Sequence, residues 1–178
     1  MGDSLSAGYG MQSKDGWVRL LETQLDGQGY DVKIINASIS GETSGGGLRR
    51  FPELLEKHQP NHVILELGAN DGLRGQSLKT MRANLSQMVQ QSQSANATVL
   101  VLGMMIPPNY GRKYTERFHQ SFQTVAKENN AALVDFFLAP LALQPNYFQA
   151  DRVHPNEAAQ PLLVEHLWPN IKQLVSGQ

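Results

Sequence analysis

Nucleophilic chemistry has few residues to draw on in this chain. It contains no cysteine, so a covalent mechanism must use Ser, Thr, Lys or a carboxylate, and a hydroxyl needs a neighbouring base, nearly always histidine. There are 5 histidines. His62 opens an expected strand, His58 closes an expected helix, and His119 and His166 fall within expected helices, all positions suited to an ordinary surface or helix-face histidine. His154 stands instead in the irregular segment Ala150-Asp151-Arg152-Val153-His154-Pro155. In a bent loop, with proline fixing the backbone just after the imidazole, Asp151 can reach the Nδ1–H, hold the tautomer and stabilise the imidazolium. Asp-x-x-His-Pro also arises by chance ahead of helices and does not identify a base by itself.

The segment Gly2-Asp3-Ser4-Leu5-Ser6-Ala7-Gly8-Tyr9 has two readings. Gly and Ser ahead of a helix make an ordinary N-cap. The same residues would also present Ser4 on a glycine-started turn, its hydroxyl exposed at the sheet edge and its own N–H aimed at a developing oxyanion. Gly2-Asp3-Ser4-Leu5-Ser6 lacks the second glycine of G-x-S-x-G, which excludes the nucleophile elbow of the α/β-hydrolases. Gly41 and Gly45-Gly46-Gly47 match neither the phosphate loop nor the dinucleotide fingerprint. A two-metal hydrolase built on Asp3, Asp71 and His154 is disfavoured, because metal clusters usually recruit more than one histidine; no metal or other cofactor is expected.

These residues need a scaffold, and hydrophobic periodicity supplies one. Trp17, Leu20, Leu21 and Leu25 recur at helical spacing until Asp26-Gly27. Val32-Lys33-Ile34-Ile35 is short and β-branched and predicts a strand, followed by a loop from Ser38 to Thr43. Leu48, Phe51, Leu54 and Leu55 mark the next helix, its start crowded with Gly45 to Gly47 for close packing. Val63 to Leu67 predicts a strand that ends in a loop, Gly68 to Gly75. The alternation continues with a helix through Leu78, Met81, Leu85, Met88 and Val89, a strand Val99 to Met104, a loop Met105 to Tyr114, a helix through Phe118, Phe122 and Val125, and a strand Ala132 to Phe136. A last helix follows Pro155, with Pro161 and Pro169 expected to bend or break it. Strands separated by helices require crossover connections, hence a parallel sheet with helices on both faces, a doubly wound α/β domain. Ligands in such sheets bind outside the strands' carboxyl ends, where the Ser38, Gly68 and Met105 loops lie.

Composition narrows the class further. With 178 residues, 40% hydrophobic, the chain has enough apolar side chains for one domain, taken as residues 1–178, and too few for two. No apolar run approaches the roughly 20 residues that span a bilayer, so no stable membrane anchor is expected, and no basic, apolar leader opens the sequence. Lys and Arg number 15 against 16 Asp and Glu, without blocks of either sign, which argues against nucleic-acid binding.

Four segments in one order carry a resemblance: Gly2-Asp3-Ser4-Leu5, Gly41, Gly68-Ala69-Asn70-Asp71 and Asp151 to His154. Together they resemble the SGNH (GDSL) hydrolase family. Asn36-Ala37-Ser38-Ile39-Ser40-Gly41, Glu66 to Gly75 and Pro107-Pro108-Asn109-Tyr110-Gly111 bring the chain closest to that family's bacterial thioesterase I/arylesterase/lysophospholipase group. The resemblance implies a three-layer α/β/α sandwich of flavodoxin-like type and a serine ester hydrolase acting through an acyl-enzyme. It makes Ser4 the nucleophile, His154 the base and then acid, and Asp151 its orienting partner. Asn70 and Gly41 would join the Ser4 amide in an oxyanion hole, with Asp3 and Asp71 as loop-fixing acceptors. Small ester, thioester or lysophospholipid substrates and export to the periplasm or beyond are implied with it. Met104 to Ile106 could line an acyl cleft, Arg112 and Lys113 could attract an anionic head group, and Leu73 to Gly75 could form a lip.

Two departures from the family pattern carry expectations. Relatives often have glycine where Arg152 stands. Family members also place an apolar strand inside the sheet immediately before the Gly-Asp-Ser-Leu turn, whereas here Met1 alone precedes Gly2. Three outcomes are open: a natural start upstream, with Met1 internal; a sheet closed by bringing the neighbours together; or a partner chain in the gap, with a homo-oligomer as one result. Loss of an interior strand is expected to weaken folding by many kcal/mol against a total of roughly 5–15. The rival to an enzyme is a non-catalytic binding module on the same fold, with Ser4 out of line with His154.

Overall fold

The apolar, β-branched runs around Val63 and Val99 to Leu102 form the centre of the molecule. The structure, a computed structural model, describes residues 1–176. Strands β1 (His62–Leu65), β2 (Thr98–Leu102) and β3 (Ala132–Val134) make a parallel sheet in the order β1-β2-β3. Val63 lies opposite Val99, and Leu102 opposite Val134. Around the sheet are α1 (Ser4–Ala7), α2 (Trp17–Gly27), α3 (Ser44–His58), α4 (Ala69–Leu73), α5 (Leu78–Ser94), α6 (Arg112–Glu128) and α7 (Gln160–Ser176). Helix α7 covers β2 and β3 with α2 packed on it, while α5 and α6 cover β2 from the other side with α3 on α5. One continuous core results, centred on Leu85, Met88, Leu100, Leu102, Phe118, Phe122, Leu163 and Leu167. No described helix is long and apolar enough to cross a membrane.

Close packing explains the glycine run at the start of α3. Thr43 caps that helix through the Gly46 N–H at 3.1 Å, and a Cβ on Gly47 would lie 2.6 Å from Leu67 Cδ1. Helix α7 runs unbroken through both prolines, so of the expected bend or break the break does not occur. Pro161 falls in the first turn, where an N–H has no intrahelical acceptor to lose. Pro169 and Glu165, four residues earlier, are both exposed, so the carbonyl deprived of its donor is on the solvent side. The Gly68 to Gly75 segment also differs from expectation, for it carries the short helix α4.

The largest difference lies at Val32 to Ile35, which forms no strand. A strand exists only where a neighbour takes its hydrogen bonds, and between this segment and β1 runs a cavity of about 690 Å³ lined by Leu21, Val32, Ile34, Phe51, Val63 and Ile64 among others. The sheet therefore does not close by drawing its neighbours together. Among the described residues, only Met1 and Gly2 add to the β1 edge: the Glu66 N–H donates to Met1 O at 2.9 Å, and Gly2 forms a parallel bridge to Glu66. The Met1 ammonium donates to Ile64 O at 3.1 Å from a buried position, and burial pulls its pKa down to about 6. The cavity separates Val32 to Ile35 from β1 along the edge that Met1 and Gly2 begin to fill. Extending the chain before Met1 by an apolar β-strand is expected to raise the melting temperature, on the scale of about 2–4 °C per kcal/mol for a chain of this size. Equal midpoints for the two chains would refute an unfilled strand position.

Candidate active site

The turn that carries Ser4 is built by its own capping chemistry. Asp3 is the N-cap of α1, its Oδ1 accepting from the Leu5 N–H at 3.0 Å, and Gly8 ends the helix with φ +74°. Gly2 is required for a different reason, close approach: a Cβ there would sit 2.6 Å from Glu66 Oε2 and 2.8 Å from Ser6 Oγ. Ser4 is half-buried at the first helical position, where its N–H has no intrahelical acceptor.

The Asp151–His154 loop closes on that turn. His154 Nε2 lies 2.9 Å from Ser4 Oγ, and His154 Nδ1 lies 2.7 Å from Asp151 Oδ2. Asp151 Oδ1 accepts from the backbone N–H of Val153 at 2.9 Å and of His154 at 3.0 Å. The His154 backbone N–H, then its side chain, then the Val153 N–H hold the Asp151 carboxyl down at about 2, so it is ionised whenever the imidazole can act as a base. Arg152 takes φ +60° between them, the left-handed region in which glycine is unstrained. The chain thus carries a backbone cost at Arg152. An Nε2 facing a hydroxyl, with Nδ1 on a carboxylate, can take the hydroxyl proton and hold the resulting charge.

Two further loops meet the turn. Glu42 N–H donates to Ile39 O at 3.1 Å, closing a tight turn whose third residue, Gly41, has φ +78°; that position asks for glycine. The Gly41 carbonyl is held by Arg74 Nη2 at 3.0 Å. Asn70, at the start of α4, gives one Nδ2–H to Asp3 Oδ2 at 3.0 Å and keeps the other. Asp71 points away, accepting from the Ser44 N–H at 2.8 Å and the Ser44 hydroxyl at 2.6 Å, which ties α4 to the start of α3.

Ser4, Asp151 and His154 are therefore in one hydrogen-bonded chain, and Asn70 joins the same turn through Asp3. Other expected contributors are dispersed. Met104 and Ile106 are buried in the core while Met105 is exposed. Arg112 pairs with Glu116 at 2.7 Å on the surface. The Leu73 lip is pinned, because the Tyr110 hydroxyl donates to Leu73 O at 3.0 Å and the Tyr114 hydroxyl to Gly72 O at 3.1 Å. Three residues escaped the sequence reading. Tyr9 packs its ring on His154 at 4.4 Å between centroids; Gln149 donates from Nε2 to Tyr9 O and from its backbone N–H to His154 O, each at 2.8 Å. Glu66 is buried beneath the Ser4 turn. Only Glu66 left a signal, as a carboxylate in the otherwise apolar run Val63 to Leu67.

Comparison with known proteins is consistent along the chain. Residues 1–161 match the model of the GDSL-like lipase/acylhydrolase family. The esterase TesA of Pseudomonas aeruginosa is 46% identical over 175 residues, spanning 98% of this chain and 87% of that protein. Thioesterase 1/protease 1/lysophospholipase L1 of Escherichia coli is 41% identical over 176 residues, spanning 99% of this chain and 83% of that protein. The crystal structure of the psychrotrophic esterase EstA from Pseudoalteromonas sp., inhibited by monoethylphosphonate, superposes with a TM-score of 0.94 at 47% identity, covering 99% of this chain and 96% of that one.

The loop geometry makes two stability predictions. Arg152→Gly, freed of the left-handed backbone cost, is expected to stabilise the chain by up to ~1 kcal/mol, read as a higher melting temperature; a lower one would mean that the arginine side chain outweighs the strain. Because the Asp151 pKa is lowered on folding, its contribution to stability is present above the ordinary carboxylate range and lost as pH falls toward about 2. The melting-temperature gap between the wild type and Asp151→Asn should therefore shrink as pH is lowered from about 5 to about 2, and a gap constant with pH would contradict a carboxylate held ionised by these hydrogen bonds.

Proposed function

The chain belongs to the GDSL-like lipase/acylhydrolase family, and from that membership we propose that it is an ester hydrolase in which Ser4, His154 and Asp151 form a catalytic triad working through an acyl-enzyme. The observation that carries the reading is the 2.9 Å approach of His154 Nε2 to Ser4 Oγ, since a base must lie within hydrogen-bond reach of the proton it removes. The Ser4 oxygen attacks the substrate carbonyl as Nε2 takes its proton, and Asp151, ionised, stabilises the imidazolium. The proton then passes to the departing alcohol or thiol oxygen or sulfur, leaving the acyl group on Ser4. Water enters next, gives a proton to Nε2, attacks the acyl carbon, and releases the acid as Ser4 regains its hydrogen.

The tetrahedral intermediate carries a negative oxygen, and three donors suit it: the Ser4 N–H, the Gly41 N–H and the second Nδ2–H of Asn70. Glycine at position 41 supports this assignment twice, through its φ of +78° and through the absence of a Cβ beside the substrate. The lowered pKa of Asp151 supports its role as an orienting anion rather than a proton donor. Small aryl and acyl esters are the proposed substrates, with acyl thioesters and lysophospholipids extending the range, as the names of the esterase and thioesterase relatives suggest. Export to the periplasm or beyond belongs to the same proposal and rests on likeness to the family. The binding-module alternative requires Ser4 to be out of line with His154, and the observed separation speaks against it.

On a short-chain p-nitrophenyl ester, pre-steady-state release of p-nitrophenol should show a burst that Ser4→Ala abolishes. Activity is expected to survive chelation of metals. Asn70→Ala should lower kcat by ~10²–10³, the loss typical of one oxyanion donor, and His154→Ala by more. Full activity in Ser4→Ala would overturn the proposal.

A further inference from the structure

Glu66 is 1% exposed and follows the last residue of β1, directly below the Ser4 turn. A single oxygen, Oε2, accepts from the Asp3 N–H at 3.1 Å and from the Ser6 hydroxyl at 2.7 Å, so it holds the residues on either side of Leu5 and Ser4 to the sheet. Asp3 extends the connection by accepting from Leu5 and from the Asn70 amide, each at 3.0 Å. Ser6 extends it the other way, its carbonyl accepting from Asn36 Nδ2 at 2.8 Å. Gly2 is without a side chain where the carboxyl comes through. A carboxyl group buried in a strand costs stability unless it does something for the fold or the site, and the triad does not use this one.

We propose that Glu66 is a positioning residue for the nucleophile: its Oε2 fixes the turn around Ser4, and through Asp3 it sets that turn against the Asn70 amide. This rests on the reading of Ser4 as nucleophile. Burial, and after it the charge of Asp3, push the Glu66 carboxyl well above the usual range, against the Ser6 and Asp3 hydrogen bonds and the N-terminal ammonium that favour the anion, so it holds a proton more readily than an ordinary carboxyl. Oε1 finds no hydrogen-bond partner among the described residues and is the oxygen free to carry that proton. What the turn takes from position 66 is an acceptor oxygen at the right reach, which an amide of the same length also offers.

Reach and charge can be separated by substitution. Glu66→Gln keeps the reach and loses the ability to ionise; Glu66→Asp keeps the carboxyl and withdraws it by one methylene; Glu66→Leu removes the acceptor. Kinetics on a p-nitrophenyl ester, and the rate of covalent labelling by an organophosphorus serine reagent with the labelled peptide mapped, are measured for each. Glu66→Gln should stay within about threefold of the wild type. Glu66→Asp and Glu66→Leu should lose ~10² in kcat and in labelling rate, the scale of a 1 Å misplacement, with KM changed by less than about threefold because a displaced nucleophile spoils chemistry more than binding. Ser6→Ala, which removes one of the two donors at little cost in volume, should show a smaller kcat loss of the same kind and decides the matter if Glu66→Leu does not fold. Wild-type rates in Glu66→Leu or, failing its folding, in Ser6→Ala overturn the inference, as does an inactive Glu66→Gln beside an active Glu66→Asp. A wild type unlabelled at Ser4 overturns the triad reading and this one together, whereas a labelled wild type with unchanged variants overturns this one alone.

Discussion

The contact between Ser4 Oγ and His154 Nε2 joins residues 150 positions apart, and the fold is what makes so distant a pair neighbours. Ser4 is delivered by a turn pinned to the carboxyl end of β1, and His154 by a loop that precedes α7, the helix packed on β2 and β3. Neither side chain could find the other from local structure. A hydrogen bond of this kind tolerates little displacement, so each support has a defined task. Asp151 holds the ring from the far side, Tyr9 packs on its face, and Gln149 ties the histidine loop to the turn that carries the serine.

Much of this arrangement was legible in the sequence. The helices through Trp17, Leu85, Phe118 and Leu163 and the strands around Val63, Val99 and Leu133 announced themselves by periodicity, which reports directly on which side chains are buried. Ser4, Gly41, Asn70, Asp151 and His154 stand out as candidates because each falls on a loop at an expected strand's carboxyl end or just before the last helix, in an order that resembles a family. What periodicity cannot report is whether a strand has a partner. Val32 to Ile35 has the composition of a strand and remains unpaired, because pairing depends on a neighbour that lies outside the segment. Proline rules misled at α7 for a related reason: the cost of a missing N–H depends on whether the bereft carbonyl meets water, and that is set by which face of the helix it occupies. Tyr9 and Gln149 were silent because contacts across the molecule leave no local pattern.

The cavity beside β1 and the Ser4 turn share a wall. Glu66 lines the cavity, accepts from the turn, and receives the bridge from Gly2. Strand pairing at this edge and placement of the Ser4 turn are consequently parts of one mechanical unit, in which Met1 and Gly2 link the sheet to the Ser4 hydroxyl proposed to react. Stability of the edge and placement of the Ser4 turn are coupled through these few residues, while α6 reaches the Asn70 helix separately, through the Tyr114 hydroxyl on Gly72 O.

The central claim is tested most directly by a crystal structure of the protein after reaction with a phosphonate serine reagent, whose tetrahedral phosphorus stands in for the intermediate of acyl transfer. The account predicts a covalent bond at Ser4 Oγ, a phosphoryl oxygen about 2.7–3.1 Å from the Ser4 and Gly41 N–H groups and from Asn70 Nδ2, and His154 still held by Asp151. An adduct on another residue, or one at Ser4 whose phosphoryl oxygen turns away from these donors, would contradict it.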